Sequence, residues 1–278
     1  MKKTILIFVC FFGFTAFPIS KKKSDYNHSN NVNLATTLEA VLVVGNIQES
    51  TKSAIKEMDE IALLFVKNGV KVTKFYDKNA NWESIKTASK TASFFVYQGH
   101  GTTLGLNGES GGLVISDFIY AKQIYDELKL NKNCLVLFKS VCRGAGSSAG
   151  DSEDIGINEA TNRVSDYSRP FISIGASCYF ADNFNNGLDI FLTEFFYGKN
   201  IEECYKAATK YDLFKVELKK PFKFDNKKQI YISSTNYFFE QTVTTIENGK
   251  KVVKKIIPFK EYDIALVGNP VISIKDLR

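Results

Sequence analysis

The sequence predicts an α/β fold in which helices cover both faces of a mostly parallel sheet. Continuous apolar runs, typical of buried parallel strands, alternate along the chain with stretches of helical periodicity. Two of these runs end at reactive side chains beside glycine, at Gly99-His100-Gly101 and at Lys139-Ser140-Val141-Cys142. Open sheets of this class place their functional groups at the carboxyl ends of the strands. We therefore expect a Cys–His site at that edge of the sheet.

The first half of the chain alternates strand and helix. Ser50 or Thr51 can cap a helix to about Asn68, Asn81 caps a second helix to about residue 89, and Ser116 or Asp117 caps a third to about residue 128. Apolar residues at helical spacing support the first of these helices, and Gly69 ends it. The strands that we predict here are residues 40–44, 70–76, 94–97 and 134–141.

The second half departs from this rhythm after residue 212. Before that point we predict a loop over residues 144–154, a short helix over 159–166, a buried strand over 171–177 introduced by Pro170, and helices over 186–197 and 201–211. Residues 229–245 and 251–257 then alternate apolar and polar, with the turn dipeptide Asn248-Gly249 between them. This pattern predicts an antiparallel β insert over about residues 213–259. The chain returns to the main sheet with residues 262–267 and then 271–274.

The N-terminus has the pattern of a secretory signal. Lys2 and Lys3 precede an apolar run over residues 5–17, which is short for a membrane-spanning helix. We predict a signal peptide or uncleaved anchor over residues 1–20, a flexible lead-in over 21–37 and one domain over 38–278. The expected location is therefore secreted or in the cell envelope, with no stable membrane span beyond this segment.

Composition limits the partners that we expect. Apolar residues make up 44% of the chain, which is enough for a substantial core, and the formal net charge is +6. Two of those charges belong to the predicted signal, and the other basic residues are mostly scattered without interleaved aromatic residues. This pattern indicates a solvated cationic surface and gives no support for nucleic-acid binding.

Four cysteines lie outside the signal: Cys134, Cys142, Cys178 and Cys204. An even number in an exported protein invites a disulfide interpretation, but a free Cys142 would leave at least one other cysteine unpaired. We expect Cys134 and Cys204 to act as small core residues. Cys178, at the end of the predicted strand 171–177, is a second candidate nucleophile.

Cysteine proteolysis needs a thiolate nucleophile, an imidazole acid/base and hydrogen-bond donors for the oxyanion. Cys142 and His100 can supply the first two, and the chain's other histidine, His28, lies in the polar lead-in. Backbone N–H groups near Gly101 and Cys142 can form the oxyanion hole, because glycine lets a substrate carbonyl approach the main chain.

These motifs carry a family resemblance. The segment Ser140-Val141-Cys142-Arg143-Gly144 resembles the caspase sequence Q-A-C-R-G, which has a histidine about 50 residues upstream. The segments YQGHG and SVCRGAG are similar to those of the wider caspase-fold cysteine peptidases: caspases, legumains, gingipains and CHAT-domain peptidases. The stretches PFISIGASCYFADN and YDIALVGNPVISI favour the gingipain and CHAT branch. The resemblance extends from about residue 38 to 274.

The resemblance implies a caspase-like α/β/α sandwich and a His100–Cys142 dyad that cleaves proteins or peptides after a selected side chain. It also implies Gly101 as an oxyanion donor and a reaction that uses neither metal nor cofactor. Three features depart from the family pattern: Ser140 stands where caspases have Gln, Asn269 replaces the usual aspartate of the terminal strand, and the β insert has no counterpart.

Acidic residues suggest a substrate preference. Asp151, Glu153 and Asp154 follow the predicted nucleophile closely, and Asp117 lies between the two motifs. Carboxylates there could bind the Arg or Lys side chain of a substrate through paired hydrogen bonds. The competing interpretation is a solvated acidic loop.

Two other functions fit parts of the sequence. An inactive caspase-like domain could serve as a protein-binding or surface module, with the β insert as its contact face. The glycine-rich residues 144–150 also resemble a dinucleotide-binding loop. That loop does not follow the first strand, however, and the next predicted strand ends without the acidic residue that a ribose needs.

Overall fold

The computed structural model describes residues 37–101, 111–151, 153–183, 187–209, 215–241, 245–247, 250–252 and 255–278. The predicted signal and almost all of the predicted lead-in lie outside these ranges. The strands are β1 (Glu39–Val44), β2 (Lys71–Tyr76), β3 (Phe94–Gln98), β4 (Leu113–Val114), β5 (Phe118–Ile119), β6 (Leu135–Lys139), β7 (Cys178–Asp182), β8 (Lys215–Phe222), β9 (Asp225–Gln241), β10 (Thr245–Glu247), β11 (Lys250–Val252) and β12 (Lys255–Gly268). The helices are α1 (Thr51–Lys67), α2 (Trp82–Ser89), α3 (Ala121–Glu127), α4 (Gly156–Ser173), α5 (Gly187–Phe196) and α6 (Ile201–Ala208).

The main sheet has eight strands in the order β2-β1-β3-β6-β7-β12-β9-β8. The first five strands are parallel to one another, and β12, β9 and β8 continue the sheet antiparallel. The predicted α/β class with a mostly parallel sheet is therefore confirmed. None of the helices in the described ranges is long and apolar enough to cross a membrane.

Helices pack on both faces of this sheet. Alternate side chains of each strand point to opposite faces, so that Phe95 and Tyr97 of β3 join one apolar cluster and Phe94 and Val96 join the other. Helices α2, α3 and α4 cover the first of these faces, and α1, α5 and α6 cover the second. We call these the first face and the second face. The result is a three-layer α/β/α sandwich.

The first two helices begin where the sequence predicts. Thr51 Oγ1 accepts the N–H of Ile47 at 2.8 Å at the start of α1, and Gly69, with φ +75°, follows the end of that helix. Asn81 Oδ1 accepts the Ser84 N–H at 3.1 Å and caps α2. The Asn81 cap satisfies a backbone N–H that has no partner within α2, whereas the Thr51 bond holds the turn that precedes α1.

The third helix starts later than predicted. Ser116 and Asp117 do not cap it but form the turn of a short antiparallel hairpin, β4–β5. Helix α3 begins at Ala121, and the Tyr120 N–H donates to Gln123 Oε1 at 3.0 Å. Both residues proposed as caps favour turns as strongly as helix starts, so local sequence could not separate the two outcomes.

The predicted strand over residues 171–177 is wrong, because residues 171–173 end α4 and residues 174–177 form the turn that leads to β7. Val164, Tyr167 and Phe171 recur at intervals of three and four residues and are all buried on the first face. Phe171 thus continues a helical stripe that starts before Pro170. The proline lies near the end of the helix, which stops at Ser173 before Gly175 adopts a φ of +107°. The next strand is β7.

The predicted β insert is present, but its main strands extend the central sheet. β9 pairs with β12 along its length, and β8 pairs with β9 at the edge of the sheet. β10 and β11 form a separate antiparallel pair, and the proposed turn residues Asn248 and Gly249 between them lie outside the described residues. Residues 271–274 do not form a strand; a 3-10 helix follows at Ile274–Leu277.

Candidate active site

The two predicted catalytic segments leave the sheet side by side. β3 and β6 are adjacent parallel strands, with Tyr97 of one in register with Phe138 of the other. His100 lies two residues beyond β3 and Cys142 three residues beyond β6. Both therefore lie at the carboxyl edge of the sheet, where the sequence placed them.

The backbones of these segments are in contact. A Cβ built on Gly101 would lie 1.8 Å from the carbonyl oxygen of Cys142 and 2.8 Å from the hydroxyl oxygen of Tyr167. No side chain fits at that distance, so the approach requires glycine at position 101. The residue after His100 thus touches the main chain of Cys142.

Cys142 has the most accessible sulfur-bearing side chain in the described part of the chain. It is a free, half-buried cysteine, whereas Cys134, Cys178 and Cys204 are free and buried. Burial raises the pKa of the Cys134 and Cys178 thiols far above the usual range and that of Cys204 to about 12. The expected core roles of Cys134 and Cys204 are confirmed.

Cys178 is not a second nucleophile at this edge. It is the first residue of β7 rather than the end of a strand, so it lies at the amino edge of the sheet. Its side chain is fully buried in the second-face cluster. The prediction failed because it depended on a strand over residues 171–177, which instead hold the end of α4 and the turn before β7.

Cys142 sits in a compact turn with unusual backbone conformations on either side. Ser140 has a φ of +52° and Arg143 a φ of +69°, and non-glycine residues seldom adopt this region. The turn is closed by the Gly144 N–H, which donates to the Val141 carbonyl at 2.9 Å. Strained conformations of this kind cluster at functional sites and persist where surrounding contacts hold them.

Tyr97 fixes the segment that carries His100. Its buried hydroxyl accepts the Val114 N–H at 2.9 Å and lies 3.0 Å from the carbonyl oxygens of His100 and Val114, either of which can receive its proton. A Cβ on Gly99 would lie 2.1 Å from the same hydroxyl. The exposed imidazole of His100 therefore projects from a loop whose backbone is held to the β4–β5 hairpin.

Ser147 fastens the glycine-rich loop after Cys142 to the last long strand. Its N–H donates to the Tyr262 carbonyl at 2.9 Å, and its hydroxyl accepts the Tyr262 N–H at 2.8 Å. Its own carbonyl accepts the Arg143 N–H at 2.7 Å and the Asn183 side-chain amide at 2.8 Å. The loop is thus held to β12, and the acidic residues separate it from the start of α4.

The four candidate substrate-binding carboxylates have different surroundings, and Glu153 is exposed. Asp151 is buried against Arg163, whose Nη1 lies 2.8 Å from Oδ2 and 3.0 Å from Oδ1. Asp154 is exposed, but its Oδ1 accepts the Gly156 N–H at 2.8 Å at the start of α4. Asp117 is exposed in the β4–β5 turn, which packs near the end of β1. The structure therefore does not bring these acids together, and Asp151 is already neutralised by a residue of the chain itself.

The sequence analysis did not identify two further carboxyl groups, Asp263 and Glu261, which flank Tyr262 on β12 next to the Ser147 loop. Burial raises the pKa of Asp263 to about 8, although the Thr235 hydroxyl donates to its Oδ2 at 3.0 Å. Burial and the charge of Asp151 raise the pKa of Glu261 to about 6. A β-bulge between Tyr262 and Ile264 places Asp263 beside β7, and no sequence pattern predicts that irregularity.

The sequence analysis also did not identify a row of buried polar residues at the ends of three adjacent strands. Gln98, Lys139 and Asp182 close β3, β6 and β7 on the second face, and each is at most 4% exposed. The sequence pattern that could have revealed this row is the single polar residue that ends each of the three apolar runs. Within the described ranges, no group of three or more His, Cys, Asp or Glu side chains could hold a metal ion.

Comparison with known proteins adds no relative. No protein-family model matches the sequence, and no curated protein matches it significantly.

Proposed function

We propose that this protein is an exported cysteine endopeptidase with a caspase-like fold, in which His100 and Cys142 form the catalytic dyad. The observation that carries the proposal is the contact between Gly101 and the carbonyl of Cys142. It places a histidine-bearing loop against a cysteine-bearing turn at one edge of a parallel sheet. The half-buried free thiol and the left-handed residues around it support the same assignment.

In this mechanism the Cys142 thiolate attacks the carbonyl carbon of the scissile peptide bond. The oxyanion accepts hydrogen bonds from backbone N–H groups at Gly101 and Cys142. The protonated imidazole of His100 gives its proton to the leaving amine, the C–N bond breaks, and a thioester remains on the sulfur. His100 then takes a proton from water, which hydrolyses the thioester and restores the free thiol.

A preference for basic residues would depend on Asp117 rather than on Asp151. Since Asp151 already forms an ion pair with Arg163, its carboxylate is unsuited to binding a substrate guanidinium. Asp117 remains exposed, and its Oδ2 accepts the Ser116 hydroxyl at 3.5 Å, a long hydrogen bond that a substrate guanidinium can replace. A peptide library with varied residues on the amino side of the cleaved bond reports this preference directly.

A peptide-library digest with matched variants tests the dyad. We expect Cys142→Ala and His100→Ala to lose peptide cleavage by at least about a hundredfold, because each removes a group that takes part in bond making. His28→Ala changes the other histidine and should leave cleavage unchanged. Cleavage that survives Cys142→Ala in folded protein would refute the assignment.

A binding module without catalysis is the alternative proposal. β8 is an edge strand of the main sheet, and such an edge can accept a strand from a partner. Its sequence, however, contains several lysines and Pro221, which are typical of edges protected against pairing. Pure folded protein that neither cleaves peptides nor reacts with a thiol-directed peptide probe would favour this alternative.

A further inference from the structure

Three neighbouring parallel strands change from apolar to polar at their last residue. Gln98, Lys139 and Asp182 all point to the second face and are 4%, 4% and 0% exposed. Lys139 and Asp182 are in register across the β6–β7 pair. Buried charged groups are costly unless they are paired and hydrogen-bonded, so this row calls for a physical role.

Asp182 connects two backbone segments through one carboxylate. Its Oδ1 accepts the Ser140 N–H at 3.2 Å, and its backbone carbonyl accepts the same N–H at 2.9 Å. Its Oδ2 accepts the Leu188 N–H at 2.8 Å in the first turn of α5. The carboxylate thus links the helix start to the residue two positions before Cys142, where φ is +52°.

Charged groups from three elements face Asp182. Lys139 lies on β6, Asp189 in the first turn of α5 and Asp263 on β12. Lys139 in turn lies 3.9 Å from Asp189 and faces Glu57 and Glu60 of α1. Burial raises the pKa of Asp182 to about 6, and the positive charge of Lys139 and the two N–H donors limit the rise.

We infer that Asp182 is a positioning residue for Cys142: its carboxylate holds Ser140 in the left-handed conformation that turns the chain toward the nucleophile. It acts through the backbone of Ser140 and does not touch the substrate. The inference depends on the proposed function only in taking Cys142 as the reacting group. Ionised Asp182 accepts stronger hydrogen bonds from the Ser140 and Leu188 N–H groups than protonated Asp182 does, because a charged acceptor strengthens a hydrogen bond.

The reactivity of the Cys142 thiol toward dithiodipyridine measures this positioning without any peptide substrate. Asp182→Asn keeps the size of the side chain, but its NH₂ group cannot accept, so either Ser140 or Leu188 loses a partner. We expect the thiol of this variant to react about fivefold faster than wild type at about pH 8, the equivalent of one lost hydrogen bond. The ratio of the two rates should approach one at about pH 5, where the wild-type Asp182 is itself protonated.

Asp189→Asn is the matched control. It removes a charge that faces Lys139 from the same turn of α5. We expect its reaction rate to stay close to wild type at about pH 8, where Asp182 is ionised in both proteins. A ratio of one for Asp182→Asn at both pH values overturns the inference. So does a ratio raised equally at both, which indicates general loosening, or an equal effect of Asp189→Asn.

Amide exchange in the wild-type protein covers the case in which Asp182→Asn does not fold. The Leu188 amide should lose about tenfold in protection between about pH 7 and about pH 5, after correction for intrinsic exchange, as the acceptor becomes neutral. The Phe195 amide, later in α5, is the internal reference. Unchanged protection at Leu188 refutes the inference. Neither measurement needs peptide cleavage, so a failed peptidase assay and a failed positioning role give different results.

Discussion

Gly101 lies so close to Cys142 that a single methyl group at this position would reach 1.8 Å from the cysteine's carbonyl oxygen. The contact joins two loops that are far apart in sequence and that extend from neighbouring strands. It fixes the distance between the histidine and cysteine segments through main-chain atoms, whichever rotamers their side chains adopt.

Gly101→Ala should separate the two loops. The added methyl group overlaps main-chain atoms that belong to a packed turn, so we expect a loss of about 2 kcal/mol or more in the free energy of unfolding. Gly150→Ala is the control, because the nearest atom to its Cβ is Ser148 Oγ at 3.9 Å. Urea unfolding measures both. Equal effects of the two substitutions would show that the contact is not as close as described.

Tyr97→Phe should loosen the loop that carries His100. The substitution removes the buried acceptor of the Val114 N–H and the donor shared by two carbonyls, at an expected cost of about 1–3 kcal/mol in unfolding free energy. Amide exchange at Val114 should speed up as well. Tyr125→Phe, at a position that is 58% exposed, should change neither quantity. Protection retained at Val114 in Tyr97→Phe contradicts this account.

Arg163→Met should destabilise the protein through the charge that it leaves behind. The side chains of Arg163 and Asp151 are 9% and 7% exposed, and breaking a buried ion pair from one side costs about 3–5 kcal/mol. Adding Asp151→Leu should recover much of that loss. The exposed pair Lys74–Asp59 gives the comparison, since Lys74→Met should cost less than about 1 kcal/mol. No recovery in the double variant would count against the pairing.

Stability should fall as the pH rises from about 4 to about 8. The pKa of Asp263 is raised from 3.8 to about 8, so the folded state binds this proton more tightly than the unfolded chain does. Its contribution to stability is therefore complete below about pH 4 and is lost as the pH rises through about 8. The raised pKa values of Asp182 and Glu261, both about 6, act in the same direction.

Asp263→Asn tests this linkage. Its carbonyl oxygen can still accept from Thr235, and its amide does not titrate, so the slope of unfolding free energy against pH should become flatter. Glu49→Gln removes a carboxylate from an exposed position and should leave the slope as in wild type. An identical slope in wild type and Asp263→Asn would mean that Asp263 stays ionised across this range.

Continuous apolar runs were the reliable signal in this sequence. They located β1, β3 and β6, and parallel pairing then brought the ends of β3 and β6 to the same edge. Residues 171–177 were misassigned because seven residues of mostly apolar chain fit the end of a helix as well as a strand. The helical period shows only when Val164 and Tyr167 are included.

The partners of the buried carboxylates could not be predicted, because they are distant in sequence. Asp182 lies between Ala181 and Asn183 in the sequence, and its partners Ser140 and Leu188 come from the turn after another strand and from a helix start. The pairing of Asp151 with Arg163 likewise depends on how the loop packs on α4. A local sequence pattern can identify a candidate carboxylate, but only the fold shows whether that carboxylate already pairs with another residue of the chain.

The hydrogen bonds between Ser147 and Tyr262 affect when the turn around Cys142 can be completed during synthesis. β12 follows Cys142 by more than a hundred residues and leaves the ribosome well after it, and until β12 inserts between β7 and β9 the loop after Cys142 lacks two of its hydrogen bonds. A nascent chain would therefore carry the cysteine long before the turn around it could be complete. Synthesis of β12 would set the earliest time at which the surroundings of the Cys142 thiol are complete.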